Sequence, residues 1–155
     1  MSKKSIFVTR LTDVMDTDVE GVGTIRRENN KQYKWVQYLT AVGVVAAVAG
    51  NVAYYYAPGG VSAGSFTTVT SDLSDSANVG AGVLQSAPTN LQYCWVQTKG
   101  LATLTTALTA GADGQALTPI GSTDGTLDVS ALVTDSICAY AVDASAKIVA
   151  CDFPD

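Results

Sequence analysis

The stretch from Trp35 to Tyr56, WVQYLTAVGVVAAVAGNVAYYY, decides the fold class, because it is either a membrane-spanning helix or a set of short strands. Its length approaches the ~20 residues that span a bilayer, and aromatic residues flank it at both ends. The unbroken apolar run 41–49 covers only nine residues of Ala, Val and Gly, however, and runs that short are typical of segments buried in protein. We therefore expect a strand over 34–38, a small-residue packing segment over 41–49 and a second strand over 52–56.

On the N-terminal side, residues 1–20 show neither a sustained helical period nor a turn-bounded hairpin, and only 5–11 has the composition of a strand. We expect an extended, loosely ordered arm. The polar turn 28–31 then separates two β-prone segments, 23–27 and 32–39. This pattern predicts a β-hairpin in which the two asparagines of the turn take its positive-φ positions.

On the C-terminal side, short β-prone segments recur at roughly 8–12 residue intervals, which is typical of a sandwich or barrel. They are 65–70, 82–85, 91–98, 102–106, 116–120, 126–133, 136–142 and 147–153. Lys99-Gly100 and 143–145 are the clearest turns, and 72–78 predicts a surface loop or one helical turn. The sequence thus predicts a mainly β protein, a small β-sandwich or barrel with an extended N-terminal arm and hairpin (1–57) and a β-rich body (58–155).

The charges of the 155-residue chain are distributed unevenly. Residues 1–34 hold seven of the nine basic residues against five acidic ones, whereas residues 35–155 hold two basic against nine acidic residues. A basic front on an acidic body indicates two surfaces with different roles. Because binding of phosphate requires clustered Lys and Arg, we expect no nucleic-acid partner for the body.

Candidate catalytic and ligand-binding motifs are weak. The absence of histidine removes the usual base near neutral pH and the imidazole metal ligand. The sequences GVG at 21–23 and GAG at 80–82 lack the continuation of a phosphate-binding loop and are interpreted as turns. The arm's acidic residues lack the glycine and distal glutamate of a calcium loop, while weak calcium binding stays open at Asp113, Asp124 and Asp128. We expect no enzymatic activity, no cofactor and no metal site.

Three cysteines form no CxxC pair and are odd in number. Cys94 stands between Tyr93 and Trp95 on a predicted strand, so it faces away from both and is interpreted as a small buried residue. Cys138 and Cys151 are placed to meet in a hairpin, but the chain shows no secretory signal, and we expect cytosolic synthesis and reduced thiols.

Three consecutive tyrosines, Tyr54 to Tyr56, end the opening stretch. Three neighbours on a strand cannot all face one core, because side chains alternate between its two faces. We expect at least one of them to be exposed, where Tyr is a favoured interface residue. The alternative is a strand end covered by the N-terminal arm.

Two passages together resemble a known family. The first is GVGTIRR at 21–27 with YKWV at 33–36 and an Ala/Gly/Val-rich run ending in GNVAY at 50–54. The second is LQYCWVQTKG at 91–100 with AGADGQAL at 110–117. They are similar to the head-decoration, or cement, proteins of tailed bacteriophages, in which a G-T-x-R…Y-x-W/Y-V hairpin precedes a strand of the form Y-x-W-V-Q-x-x-G. The resemblance covers about residues 21–121, and Asn29-Asn30 replaces the Asp-Gly expected in the hairpin turn.

The resemblance implies a structural virion protein that is made in the host cytoplasm and reinforces the outer surface of an assembled phage capsid. Its partners would be the major capsid protein and further copies of itself, as a dimer or trimer. The arm and hairpin would contact the capsid through Arg10, Arg26, Arg27, Lys31, Trp35, Tyr54, Tyr55 and Tyr56. The alternatives are a virion protein anchored in a membrane through 39–56 and a carbohydrate-binding module that uses exposed aromatics.

Overall fold

The computed structural model describes residues 6–40, 42–57 and 66–155, and their regular structure is β apart from one 3-10 turn, Leu73–Asp75. The strands are β1 (Ile25–Glu28), β2 (Lys31–Tyr38), β3 (Val52–Tyr56), β4 (Thr68–Thr70), β5 (Ser76–Leu84), β6 (Tyr93–Thr103), β7 (Ala116–Thr118), β8 (Asp128–Val129), β9 (Ala139–Asp143) and β10 (Ile148–Asp152). The predicted mainly β fold class is confirmed. The 3-10 turn lies where a loop or helical turn is predicted, at 72–78.

Strands β2 to β6 form a ring of hydrogen-bonded pairs. β2 pairs in parallel with β4 and antiparallel with β6, and the pairs β4–β3, β3–β5 and β5–β6 complete the ring. Alternation along the strands sends one set of side chains inward, where they form the barrel core: Val36, Tyr38, Ala53, Tyr55, Val69, Ala81, Leu84, Cys94 and Val96. A sheet closed on itself pairs its backbone groups internally.

The long strand β6 belongs to two sheets. Its pairing with β5 ends at Gln97, and from Lys99, which still pairs with Gln32 of β2, it pairs with β10. β10 is followed by β9, β7 and β8. The inner face of this second sheet packs on the outside of β3 and β5. The resulting second core contains Val52, Tyr54, Val83, Ala102, Leu104, Leu117, Leu127, Cys138, Ala139, Ala141, Val149, Cys151 and Phe153.

Two predicted turns have the expected geometry. Asn29 and Asn30 have φ of +51° and +61°, as a two-residue hairpin loop between β1 and β2 requires. The predicted turn at 143–145 joins β9 to β10, and the Asp143 carboxylate accepts hydrogen bonds from the Ser145 hydroxyl (2.7 Å) and the Ala146 amide (2.9 Å). Both turns are therefore confirmed.

The turn predicted at Lys99-Gly100 is wrong, because β6 continues through it. The register against β2 shifts there, so that Gln32 faces Lys99 while Tyr33 faces Gln97, and Gly100 has a φ of +96°. This is a β-bulge with Thr98 as the extra residue, and the glycine that follows Lys99 supplies a positive φ beside it. Most of the predicted strand 91–98 and the start of the predicted strand 102–106 consequently belong to one strand, which ends at Thr103.

The turn predicted at 80–82 is also wrong, because these residues lie inside β5. A Cβ at Gly80 would stand 2.6 Å from the Phe153 ring, and one at Gly82 would stand 2.7 Å from the carbonyl oxygen of Gln97. The glycines are thus required for close packing rather than for a chain reversal.

The predicted boundary between 1–57 and 58–155 runs through the barrel. β2 and β3 precede it, yet they pair with β4, β5 and β6. Residues 1–5, 41 and 58–65 lie outside the described residues, and with them the start of the predicted strands 5–11 and 65–70. Residues 6–11 are not a strand. The division into an N-terminal part and a separate body therefore does not describe this barrel.

The structure does not support the interpretation of the opening stretch 35–56 as a membrane-spanning helix. In the described parts of the chain, no helix is long and apolar enough to cross a membrane. Residues 52–56 form β3, as predicted. The packing segment predicted over 41–49 is wrong for its described residues, because most of 42–49 is exposed and none of it is buried.

Candidate functional site

Three of the aromatic residues predicted to contact a partner lie inside the protein. Trp35, Tyr54 and Tyr55 have no exposed surface, and Tyr56 is half-buried. Because β3 lies between two layers, Tyr54 points into the second core and Tyr55 into the barrel core. The run of tyrosines is thus explained by two cores in one chain, and only Tyr56 keeps exposed surface.

The N-terminal arm is docked on the barrel rather than loosely ordered. Tyr33, Trp35 and Trp95 form a cluster on the outer face of β2 and β6, and Phe7, Leu11, Met15 and Val19 of the arm pack against it. The Trp95 indole donates to the Thr9 hydroxyl at 2.9 Å. Arm and barrel also exchange backbone hydrogen bonds between Met15 and Tyr93, at 2.8 and 3.0 Å.

The acidic residues of the arm hold its shape. The Asp18 carboxylate accepts from the amides of Gly21 (2.9 Å) and Val22 (3.0 Å) and from the Trp35 indole (2.9 Å). The Glu20 carboxylate accepts from the Thr9 amide at 2.7 Å. These carboxylates therefore act as local turn and docking groups.

Arg26 is used inside the chain. Its guanidinium pairs with Glu28 at 2.7 Å, donates to the Thr9 carbonyl at 2.8 Å and stands 4.9 Å from the Phe7 ring centroid. It also lies 5.8 Å from the Trp95 ring. Because these contacts occupy its polar and π-facing surfaces, Arg26 fastens the arm to the barrel.

Two of the predicted contact residues, Arg27 and Lys31, come together with Lys99 around a cavity of about 420 Å³, which we call the basic cleft. Glu28, Asn30 and Gln32 complete its lining. The pKa of Lys99 is raised, first by its hydrogen bond to Asp152 at 2.8 Å. Arg10, the remaining predicted contact, is exposed on the arm.

A second exposed feature is the loop 42–48, VGVVAAV, which we call the valine loop. Val42 is 84% exposed, Val44 74% and Val48 42%. The backbone under them is held by hydrogen bonds from the Val42 amide to Asp75 (3.0 Å) and from the Tyr38 hydroxyl to the Val45 carbonyl (2.9 Å). The loop thus presents apolar side chains to solvent from an anchored backbone.

Val44 has a φ of +55°. This left-handed conformation is an outlier for a β-branched residue, and strain of this kind is found where surrounding structure holds a segment for function. Beside it, a Cβ at Gly43 would collide with the Asp72 carboxylate. Contact with the 3-10 turn segment therefore fixes the path of the loop.

The two features approach each other beside the barrel. Lys31 lines the basic cleft and also a second cavity of about 240 Å³, whose lining includes Ala49 and Gly50, the two residues that follow the valine loop. Lys31 thus connects the basic cleft to the chain segment that directly follows the valine loop. We treat the two features together as the candidate partner-binding surface.

The titratable groups most suited to chemistry are buried. Burial raises the pKa of the Cys94 and Cys151 thiols to about 12 and also raises that of Cys138, and all three thiols are free. Cys94 lies in the barrel core while Trp95 lies in the outer cluster, as the alternation predicts. Burial lowers the pKa of Lys34, whose ammonium donates to the Tyr55 hydroxyl at 3.0 Å inside the barrel.

Metal-binding geometry is not present in what the structure describes. No group of three or more His, Cys, Asp or Glu side chains among the described residues is placed to hold a metal ion. Asp113 and Asp124 instead accept hydrogen bonds from the Ala144 and Leu73 amides, at 2.8 and 2.9 Å. The acidic residues at these glycine-rich turns therefore have local structural partners.

Sequence reasoning missed the valine loop and the role of Lys99. The Ala and Val content of the loop predicts an interior position, although Gly43 interrupts its pattern and Gly50 follows it. Lys99 was assigned to a turn because Gly100 follows it. Comparison with known proteins adds no identity, since no family model, curated protein or solved structure matches the chain.

Proposed function

We propose that the chain is a non-enzymatic structural protein that binds the outer surface of an assembled phage capsid and reinforces it. The observation that carries this proposal is the valine loop, in which Val42, Val44 and Val48 are exposed on an anchored backbone. Exposed apolar patches on a soluble protein mark interaction surfaces. The cement-protein resemblance of the sequence supplies the kind of partner.

The geometry of the loop supports docking on a rigid surface. Its backbone is held by the Tyr38 hydroxyl and the Asp75 carboxylate before any partner binds. A preformed loop loses less conformational entropy on binding than a flexible one. Contact at one loop is small, but repetition of the contact over a lattice raises the overall affinity through avidity.

The arm supports the same proposal in a revised form. Phe7 packs edge-on against Trp95 at 5.6 Å, whereas its neighbours Ile6 and Val8 are 88% and 75% exposed. The arm is therefore fixed to its own barrel by one face and offers apolar side chains on the other. In the proposal it contacts the capsid as a docked segment.

The outer face of the second sheet supports contact with a second copy. Leu101, Ala150 and Tyr140 are aligned across β6, β10 and β9, and Leu101 and Tyr140 are about half exposed, as is Val142. The outer face of an antiparallel sheet is ordinarily polar. An apolar outer face would bind a second copy of the chain in the dimer or trimer that the resemblance implies. Sedimentation of the free protein measures this oligomeric state.

The capsid proposal is tested by co-sedimentation with undecorated heads of the phage that encodes the chain. We expect wild-type protein to pellet with the heads and a Val42→Ser/Val48→Ser variant to bind at least tenfold more weakly. The control is Val133→Ser, which removes a fully exposed valine from the β8–β9 loop. Equal binding of all three proteins would remove the valine loop from the interface.

The membrane alternative is tested in the same series with vesicles of neutral and anionic phospholipid. We expect wild-type protein to stay in the bottom fraction of the gradient when the vesicles float. Flotation that depends on Val42 and Val48, with no binding to heads, would replace the capsid by a membrane as the partner.

A further inference from the structure

The basic cleft combines three cations that are distant in sequence. Arg27 comes from β1, Lys31 from the first position of β2 and Lys99 from the bulge of β6. Gly100 makes this possible, because with its φ of +96° the backbone approaches the hairpin turn so closely that a Cβ would stand 2.9 Å from the Asn30 carbonyl oxygen. The bulge therefore brings Lys99 beside the hairpin.

The carboxylates near the cleft are already engaged. Glu28 pairs with Arg26 at 2.7 Å, and Asp152 pairs with Lys99 at 2.8 Å. Within the described residues these are the two ion pairs, so Arg27 and Lys31 reach no carboxylate partner there. Arg27 is instead oriented by the hydrogen bond from its Nε to the Gln32 side-chain oxygen, at 2.8 Å.

A carboxylate of the chain itself shows which chemistry the lining accepts. The Gln32 amide, which lines the cleft, donates to the side-chain carboxylate of Asp155. The same amide also donates to the Thr98 hydroxyl at 3.2 Å. Gln32 thus orients Arg27 through its oxygen while its nitrogen binds an acidic group.

The geometry points to a binding site for carboxylate side chains: the basic cleft takes an acidic segment of the partner between Arg27 and Lys31, while Lys99, paired with Asp152, lines its edge. An arginine fork and a nearby ammonium match the planar, doubly accepting carboxylate. A cleft of about 420 Å³ accommodates one or two acidic side chains. That the partner is a capsid protein depends on the proposed function, whereas carboxylate binding does not.

The test uses the full chain and an acidic pentapeptide, acetyl-Gly-Glu-Gly-Glu-Gly-amide, with the Gln-for-Glu peptide as its control. We expect saturable NMR shifts of the Asn30, Lys31 and Gly100 amides with the Glu peptide and none with the Gln peptide. Arg27→Gln/Lys31→Gln should weaken binding at least tenfold. Arg10→Gln/Lys147→Gln removes the same charge outside the cleft and should bind like wild type.

Two outcomes of the peptide experiment would contradict the inference. Equal shifts with both peptides, or equal loss in both double variants, would remove the carboxylate site. Tighter saturable binding of inorganic phosphate at the same amides would replace carboxylate by phosphate as the ligand. If the double variant does not fold, Arg27→Gln alone, at an exposed position, makes the same comparison with a smaller expected loss.

Binding to heads separates this inference from the proposed function. If wild type and the cleft variant bind heads equally while the valine-loop variant does not, the capsid proposal stands and the cleft contributes nothing to it. If no variant binds heads but the Glu peptide binds wild type, the carboxylate site stands without the capsid. Loss of head binding in both variants, with the Val133→Ser control unchanged, supports both.

Discussion

The valine loop (42–48) and β3 (Val52–Tyr56) lie close together in an apolar part of the sequence but have opposite environments. β3 pairs with β4 and β5 and lies between two cores, so Tyr54 and Tyr55 are both fully buried on opposite faces. The valine loop has the rest of the protein on one side only, and Val42 and Val44 point into solvent. Burial is thus decided by the number of layers around a segment, not by its apolar content.

The largest expected effect on the free energy of unfolding is at Tyr54 of β3. Its hydroxyl accepts from the Thr126 amide at 3.0 Å and donates to the Thr126 carbonyl, while its ring fills the second core. Tyr54→Ala should lower the free energy of unfolding by about 4 kcal/mol, because it leaves a large cavity and unpaired backbone groups. Chemical denaturation measures this loss.

The matched change at Tyr56 is the control for Tyr54. Tyr56 is on the same strand but half-buried, so Tyr56→Ala should cost clearly less, about 1 kcal/mol. Equal losses for the two variants would contradict the assignment of the second core to one face of β3.

A smaller effect is expected from the same substitution at two valines. Val52 is fully buried in the second core, and Val42 is 84% exposed. Val52→Ala should lower the free energy of unfolding by about 2 kcal/mol, whereas Val42→Ala should change it by less than about 0.5 kcal/mol. Denaturant midpoints of the two variants make the comparison, and a loss at Val42 comparable to that at Val52 would show that the loop is packed.

The strands of this fold follow from local pattern, but its layers do not. The hairpin is read from Asn29 and Asn30, and β3 from its β-propensity, because these signals lie within a few residues. The ring closure between β2 and β6 and the packing of the second sheet on β3 depend on contacts far apart in sequence. The burial of Tyr54 and Tyr55 on two opposite faces was unpredictable for that reason.

The candidate site was predictable only in part, for related reasons. Arg27 and Lys31 were found because both lie in the recognisable hairpin. Lys99 was missed because the dipeptide Lys99-Gly100 is equally typical of a turn and of a β-bulge. Only the pairing of β6 with β2 distinguishes the two. Trp35 was assigned to the surface because the docked arm that covers it has no regular structure to predict.

The buried groups of the barrel predict a loss of stability at alkaline pH. The Cys94 thiol ionises at about pH 9 when unfolded and at about 12 when folded, so the folded state binds more protons between these values. Its stabilising contribution is complete below pH 9 and is lost as pH rises, by about 1.4 kcal/mol per pH unit. Tyr54 and Tyr55, whose pKa values burial raises, act in the same direction from about pH 10.

The Cys94→Ala variant isolates that contribution. Denaturation at pH 9.5 and 10.5 should show a decline in the free energy of unfolding that is shallower than in wild type by about 1 kcal/mol over the interval. Val42→Ala, in the loop without titratable groups, should keep the wild-type decline. An unchanged slope in Cys94→Ala would mean that this thiol is not buried in the folded state.

The smallest expected effect concerns the strained residue of the valine loop. Val44 has a φ of +55°, and asparagine adopts this left-handed conformation more readily than valine. Val44→Asn should therefore raise the free energy of unfolding by up to about 1 kcal/mol, seen as a higher thermal midpoint, while it weakens binding to heads. Val48→Asn removes a similar apolar side chain outside the positive-φ positions and should weaken binding without the gain in stability. The left-handed conformation of Val44 lowers the stability of the free protein, so its retention at an exposed position indicates a function. If Val44→Asn and Val48→Asn change stability and head binding equally, this conformation has no functional role.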